Sequence, residues 1–354
     1  FFTQGFYLII SFVVVYLLYI FDKKLTYLAV IFFMITGMAF NFINYSLGNF
    51  YEVKKTDRLI EFLSNKNNKI LKKKNIYILV YESYANLETH KYYGFDNTEQ
   101  IDFLEKHGFK TYHGIYSSGG SSDSSTSRTL EMDSQLYPAG DGFKTNIYFH
   151  ALSGNALVPE IFKSNGYTTI GLHHHGFWWI PPIGWDEHHP KEVSGDLGGK
   201  IITKSIFEGH FRHDVFTDYF NYENYLQLKK DYLTSGSGKK NKLFYTHNLY
   251  PGHSQNHLPK CRPDEKKIHF EGLKKANIEM KNDVLNIKNN DPDSIIVLLG
   301  DHGPVLTKGC KGIKGFYNTS EIDKYDIQDR YGTFLSIHWP EDISDSGLNI
   351  MMIQ

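Results

Sequence analysis

NIYILVYES, Asn75 to Ser83, decides the fold: six consecutive apolar or tyrosine residues, Ile76 to Tyr81, run straight into Glu82. A short apolar run without polar alternation fits a strand buried on both faces, as in a parallel sheet covered by helices. Similar runs recur at TTIGL (168–172), LFYT (243–246), SIIVLL (294–299) and GTFLSI (332–337). Helical stretches separate them at Glu99 to His107, Ala156 to Ser164 and Ile268 to Ile287. Strand alternating with helix predicts an α/β domain, 75–354, with a mostly parallel central sheet and helices on both faces. Ligands of such sheets gather beyond the carboxyl ends of the strands.

Upstream, every residue from Phe6 to Phe21 except Ser11 is apolar or Tyr; Asp22, Lys23 and Lys24 interrupt, and a second apolar run extends from Leu25 to Ile43. Each run approaches the roughly 20 residues that span a bilayer, so residues 1–50 are expected to form a transmembrane hairpin. Residues 51–74 are polar and rich in Lys and Asn, with Leu59, Ile60, Phe62 and Leu63 at helical spacing, and read as an amphipathic connector near the membrane surface. Lys23 and Lys24 favour a cytoplasmic short loop, while Lys54, Lys55, Arg58 and Lys72 to Lys74 argue the reverse, so charge leaves the orientation open. The sequence begins with Phe and reads as a fragment, with room for further membrane segments before it.

With 38 basic and 39 acidic residues in 354, the chain has no bulk field to draw it to nucleic acid. Its 17 His cluster in places, and neutral imidazole is the commonest metal ligand and proton carrier. Cys261 and Cys310 lack zinc-knuckle or redox-motif spacing; one disulfide and two separate thiols fit equally well.

Three strands end in polar residues that would meet at one edge: Glu82 and Ser83, then His247 to His253, then Gly300-Asp301-His302-Gly303. A carboxylate directly after an apolar strand is costly unless paired or bound to a cation, and Glu, Asp and His together suit a divalent ion. For Asp301-His302 alone, a strand-end turn with an Asx bond is an equal reading. Between the strands lies SSGGSSDSSTSR (117–128), running into TLEM. It reads either as a flexible Ser/Gly linker or as a loop leading into a helix whose N-terminal N–H groups favour a phosphate and an activated hydroxyl. Its place inside an α/β domain favours the second. The segment LHHHGFWW (172–179) brings imidazoles and indoles to the same edge; His188, His189, His210 and His213 read as surface or hydrogen-bonded residues.

These segments together resemble the sulfatase-like branch of the alkaline phosphatase superfamily, particularly lipoteichoic acid synthases and phosphoethanolamine transferases. NIYILVYES is similar to that family's first strand with its metal-binding Glu, here Glu82; STSRTL resembles the helix start bearing a Thr nucleophile, here Thr126 with Thr129. HNLYPGHS resembles the His-containing substrate loop (His247, His253), and LLGDHG the second metal segment (Asp301, His302). A softer similarity in NGYTTIGLHHHGFWW and GWDE points to His173 and Trp178 as substrate contacts. The resemblance spans 75–340 and implies one divalent ion, Zn2+ or Mn2+, on Glu82, Thr126, Asp301 and His302. It implies transfer of phosphoglycerol or phosphoethanolamine from a phospholipid to an envelope glycan or lipid, with a phospho-Thr intermediate and His253 as acid or base. It also implies a bacterial inner-membrane protein with its catalytic domain outside the cytoplasm. Ser124 and Ser125 stay open as nucleophiles, because Ser124 with Ser127 and Arg128 has the sulfatase spacing; no Cys occurs there, which excludes Cys-derived formylglycine. A hydrolase of the same fold and a non-catalytic envelope protein are the alternatives.

Overall fold

The computed structural model describes residues 69–134, 151–174, 184–189, 222–236, 240–252, 264–306 and 322–343, with scattered positions elsewhere. The chain divides into two compact units, one of Phe1–Lys54 with Gly195–His213 and one of Lys55–Ser194 with Asp214–Gln354. In the first, the described positions between Tyr16 and Ile35 are helical, and Tyr16, Ile20, Leu28, Ile31 and Ile35 are exposed. Among the described residues no helix is long and apolar enough to cross a membrane. The expected hairpin, like Cys261 and Cys310, falls largely or wholly outside the described residues.

The second unit is built on seven strands: β1 (Ile76–Tyr81), β2 (Phe109–Tyr112), β3 (Thr168–His173), β4 (Glu187–His189), β5 (Lys242–Asn248), β6 (Ile295–Gly300) and β7 (Leu335–His338). They form one sheet in the order β2-β7-β6-β1-β5-β3-β4. The helices are α1 (Leu87–Tyr92), α2 (Thr98–Lys106), α3 (Ser122–Glu131), α4 (Leu157–Ser164), α5 (Tyr222–Thr234), α6 (Glu265–Asn290) and α7 (Lys324–Tyr331).

β1 pairs in parallel with β5 and β6, placing Tyr81 level with Asn248 and Gly300, and β5 pairs in parallel with β3. Tyr77, Leu79 and Tyr81 face a core shared with Ile101 and Leu104 of α2, Leu233 of α5, and Leu273, Ala276, Met280, Val284 and Ile287 of α6. That α6 stripe at intervals of three and four is a helical face, and each of its Leu, Met, Val and Ile side chains stabilises the fold by roughly 1.5–3 kcal/mol when fully buried. Val80 points the other way, into a second core with Leu243, Tyr245, Leu130 of α3 and Ala156 beside α4. The expected mixed α/β architecture with helices on both faces is therefore present.

The carboxyl-terminal strand differs from expectation: β7 is antiparallel to β6, and β2 to β7. The Gly300 N–H donates to Phe334 O at 2.9 Å, so β7 starts at the edge where β6 ends, directly after α7, and runs back. An apolar run carries no direction, which is why the sequence left this undecided. β2 and β4 (FKTY and EHH) are too short and polar for an apolar-run reading.

Candidate active site

Glu82 leaves β1 where the backbone turns sharply. Ser83 has φ 60°, a left-handed conformation uncommon outside glycine, and its N–H donates to Asp301 Oδ1 at 2.7 Å. The His302 N–H donates to the same oxygen at 2.9 Å. Glycines flank this pair for steric reasons: a Cβ at Gly300 would sit 2.1 Å from Tyr84 O, and one at Gly303 2.1 Å from Asp329 O. The Gly-Asp-His-Gly string is thus a close backbone crossing that holds Asp301 and His302 opposite Glu82.

Glu82, Asp301 and His302 are buried and meet, and His247 from the end of β5 joins them. His247 Nε2 lies 3.4 Å from Glu82 Oε2 and 3.4 Å from Asp301 Oδ2. His302 Nε2 lies 3.7 Å from Glu82 Oε1 and 3.6 Å from Asp301 Oδ2. Burial, reinforced by the negative charge of Asp301, pushes the Glu82 carboxyl up to about 7, against the pull of His247, His302 and Ser122. Burial also works to raise Asp301, but the His302 charge, His247 and the Ser83 N–H outweigh it and hold that carboxyl well below its ordinary range. For His247, burial lowers the pKa while Asp301 and Glu82 raise it, and the net shift is upward.

Glu82, His247 and Asp301 form a group whose ligand atoms lie within 4.8 Å of one another. Donor atoms 2.0–2.1 Å from a tetrahedral zinc stand about 3.4 Å apart, and the His247 contacts match that spacing better than they match hydrogen bonds. His302 donates from Nδ1 to Gly303 O at 2.7 Å, which leaves the Nε2 lone pair toward the carboxylates. The donor set fits a divalent ion on Glu82, His247 and Asp301 with His302 beside them.

The hydroxyl that reaches this group belongs to Ser122, the first residue of α3. Its Oγ lies 3.0 and 3.1 Å from the two Glu82 oxygens and 3.2 Å from His302 Nε2. Thr126 is buried one turn further along the helix, and its hydroxyl makes no hydrogen bond. Ser125 bonds back to Ser121 O at 3.0 Å, and Ser124 to Ser121 O at 3.1 Å. The sequence signal for Ser122 was its place at the helix start; spacing to Thr129 pointed elsewhere. His173 is buried beside His188, Nδ1 to Nε2 3.1 Å, and its ring lies 5.7 Å from that of Tyr245. His247, expected at the substrate, sits among the carboxylates. Trp178 and His253 lie outside the described residues.

No family model matches the sequence, and no curated protein matches it. Among solved structures, the chain is similar to the C-terminal periplasmic domain of EcEptC from Escherichia coli in complex with Zn, at 14% identity and TM-score 0.47, covering 76% of this chain and 73% of that one. It is similar to the lipoteichoic acid synthase LtaP from Listeria monocytogenes, at 15% identity and TM-score 0.44, covering 76% and 66%. It is also similar to the C-terminal periplasmic domain of phosphoethanolamine transferase EptC from Campylobacter jejuni, at 13% identity and TM-score 0.43, covering 77% and 80%. Phosphoethanolamine transferases and a lipoteichoic acid synthase thus stand among the structural neighbours. At such identities and TM-scores the likeness carries no argument about activity; the reading below rests on the site.

Proposed function

We propose that this chain is a metal-dependent phosphoryl-group transferase that takes phosphoglycerol or phosphoethanolamine from a phospholipid, holds it as an ester on Ser122, and passes it to an envelope glycan or lipid. One observation carries the reading: a buried helix-start hydroxyl within hydrogen-bond distance of both Glu82 oxygens and His302 Nε2, against the Glu82, His247 and Asp301 group. A buried serine flanked by a carboxylate and an imidazole has groups to take its proton, as an activated nucleophile needs.

A divalent ion, Zn2+ or Mn2+, held by Glu82, His247 and Asp301 would acidify the Ser122 hydroxyl and offset phosphate charge. Ser122 gives up its proton to His302 Nε2 or Glu82 as Oγ bonds to phosphorus. The bond from phosphorus to the diacylglycerol oxygen breaks, and that oxygen takes a proton; His253 is our candidate donor. The acceptor hydroxyl then attacks the phosphoserine and gives its proton to His253 as the bond from phosphorus to Ser122 Oγ breaks, and Oγ takes back its proton from His302 or Glu82. Exposed apolar side chains on the helical positions between Tyr16 and Ile35 support an anchor that keeps such a site near lipid, with the catalytic domain outside the cytoplasm.

The test is incubation of zinc-loaded protein with headgroup-labelled phosphatidylglycerol or phosphatidylethanolamine, followed by peptide mass spectrometry. Label on Ser122 and on added envelope glycan or lipid supports the proposal. Label released only as free headgroup phosphate makes the protein a hydrolase of the same fold, and neither covalent nor released label with either lipid removes both readings.

A further inference from the structure

Behind the metal-type group, on the opposite face of the sheet, lies a second cluster of buried charge. Lys229 of α5 is 1% exposed, and its Nζ donates to Asn248 Oδ1 at 2.8 Å, to Asp283 Oδ2 at 2.7 Å and to Glu279 Oε1. Three N–H bonds meet three acceptors, so the ammonium is saturated. The Tyr81 hydroxyl donates to Asp283 Oδ2 at 2.8 Å, the Tyr222 hydroxyl to Glu279, and the Tyr225 hydroxyl to Asn248 Oδ1 at 2.6 Å.

Asn248 stands at the centre of both faces. Lys229 can only donate to it and Val80 O can only accept from it, which turns its amide oxygen toward Lys229 and Tyr225 and its NH2 the other way, where Nδ2 donates to Val80 O at 2.7 Å. Its main-chain carbonyl accepts the Glu82 N–H at 3.2 Å, and His247 precedes it on β5. One residue thus sets the height of β1 against β5 at the two strand ends that present Glu82 and His247.

We infer that the Lys229, Glu279 and Asp283 cluster is a positioning device for the metal-binding edge, acting through the orientation it imposes on Asn248. Buried ion clusters are often replaceable by apolar groups with little loss of stability, so folding alone gives weak reason for this one. An apolar replacement would remove the charged donor and leave only the Tyr225 hydroxyl and Val80 O to hold the Asn248 amide. Residues supporting a metal ligand typically change metal affinity by about 10–100-fold.

This inference rests on the metal-binding reading of Glu82, His247 and Asp301, and one experiment separates the two. Zn2+ is titrated calorimetrically into wild type, into Asn248→Asp, which keeps acceptors for Lys229 and Tyr225 but loses the donor to Val80, and into the uncharged triple Lys229→Met, Glu279→Gln, Asp283→Asn. Thermal melts of the metal-free proteins run alongside. Expected are ~10–100-fold weaker binding in both variants, with Asn248→Asp folded but melting below wild type because a buried carboxylate oxygen then faces Val80 O without a donor. Unchanged affinity in a folded variant, whatever its melting temperature, overturns the positioning role. Failure of wild type to bind Zn2+ overturns the metal reading and this one with it. Should the triple not fold, Asn248→Asp alone decides.

Discussion

The two faces of the sheet at the ends of β1 and β5 bury charge in opposite ways. On the α6 side the cation is part of the chain: Lys229 meets Asp283 at 2.7 Å and Asn248 at 2.8 Å. On the α3 side two carboxylates face two imidazoles at 3.4–3.7 Å, too long for good hydrogen bonds and with one carboxyl pushed up to about 7. Glu82 accepts from the Ser122 hydroxyl and Asp301 from two backbone N–H groups, yet two buried carboxylates drawn together with no lysine or arginine between them suit a cation from outside, whereas the back cluster holds its own. The same residue types thus give a scaffold on one face and a candidate reaction centre on the other.

The comparison breaks most readily at Ser122. Ser122→Ala is expected to abolish the covalent phospho-intermediate and lower turnover by at least ~10³-fold, measured as labelled lipid consumed; Thr126→Ala is expected to stay within about tenfold. Equal losses in both would move the nucleophile along α3. Asp301→Asn is expected to weaken zinc binding by more than the roughly 100-fold upper value for a supporting residue, read by calorimetric titration. The back face should respond in stability as well as in zinc affinity. Lys229→Met leaves Glu279 and Asp283 buried without their cation and is expected to cost about 3–5 kcal/mol in chemical unfolding.

Acid sharpens the contrast. Zinc needs the Glu82 carboxylate, so apparent affinity should fall by up to about tenfold per pH unit below 7, measured by titrating at several pH values. In the metal-free protein the sign reverses. The folded pKa of Glu82 is raised above its ordinary value, so its contribution to stability is fully present below about pH 4.5 and is lost as pH rises through about 7. The smallest expected effect lies away from both clusters, at His90, whose ring nitrogens make no hydrogen bond in a pocket edged by Tyr84 and Phe95. Burial, helped by the charge of His269, lowers His90 to about 3, so the unfolded chain takes up the proton first. Stability should then drop by up to ~1.4 kcal/mol per unit below pH 6.5, and melts of His90→Phe between pH 7 and 5 should show a shallower slope.

Much of this was legible beforehand because apolar runs and the residues after them are local facts. β1, β3, β5 and β6 could be read as unbroken buried strands, and Glu82, Asp301 and His302 as their polar ends. By itself the sequence determined a helix-covered sheet and the edge at which its polar residues gather, since burying an apolar strand on both faces leaves the reactive groups only its ends. It could not choose among the hydroxyls of SSDSSTS, because all of them share the helix start and only the fold brings Ser122, 40 positions from Glu82 and 180 from His302, against both. Nor could it set β7 antiparallel, move His247 in among the carboxylates, or find Lys229, which no motif marks. Tertiary structure decided these because each depends on contacts between residues distant in sequence, where distance, burial and the direction of a single lone pair determine what a side chain can do.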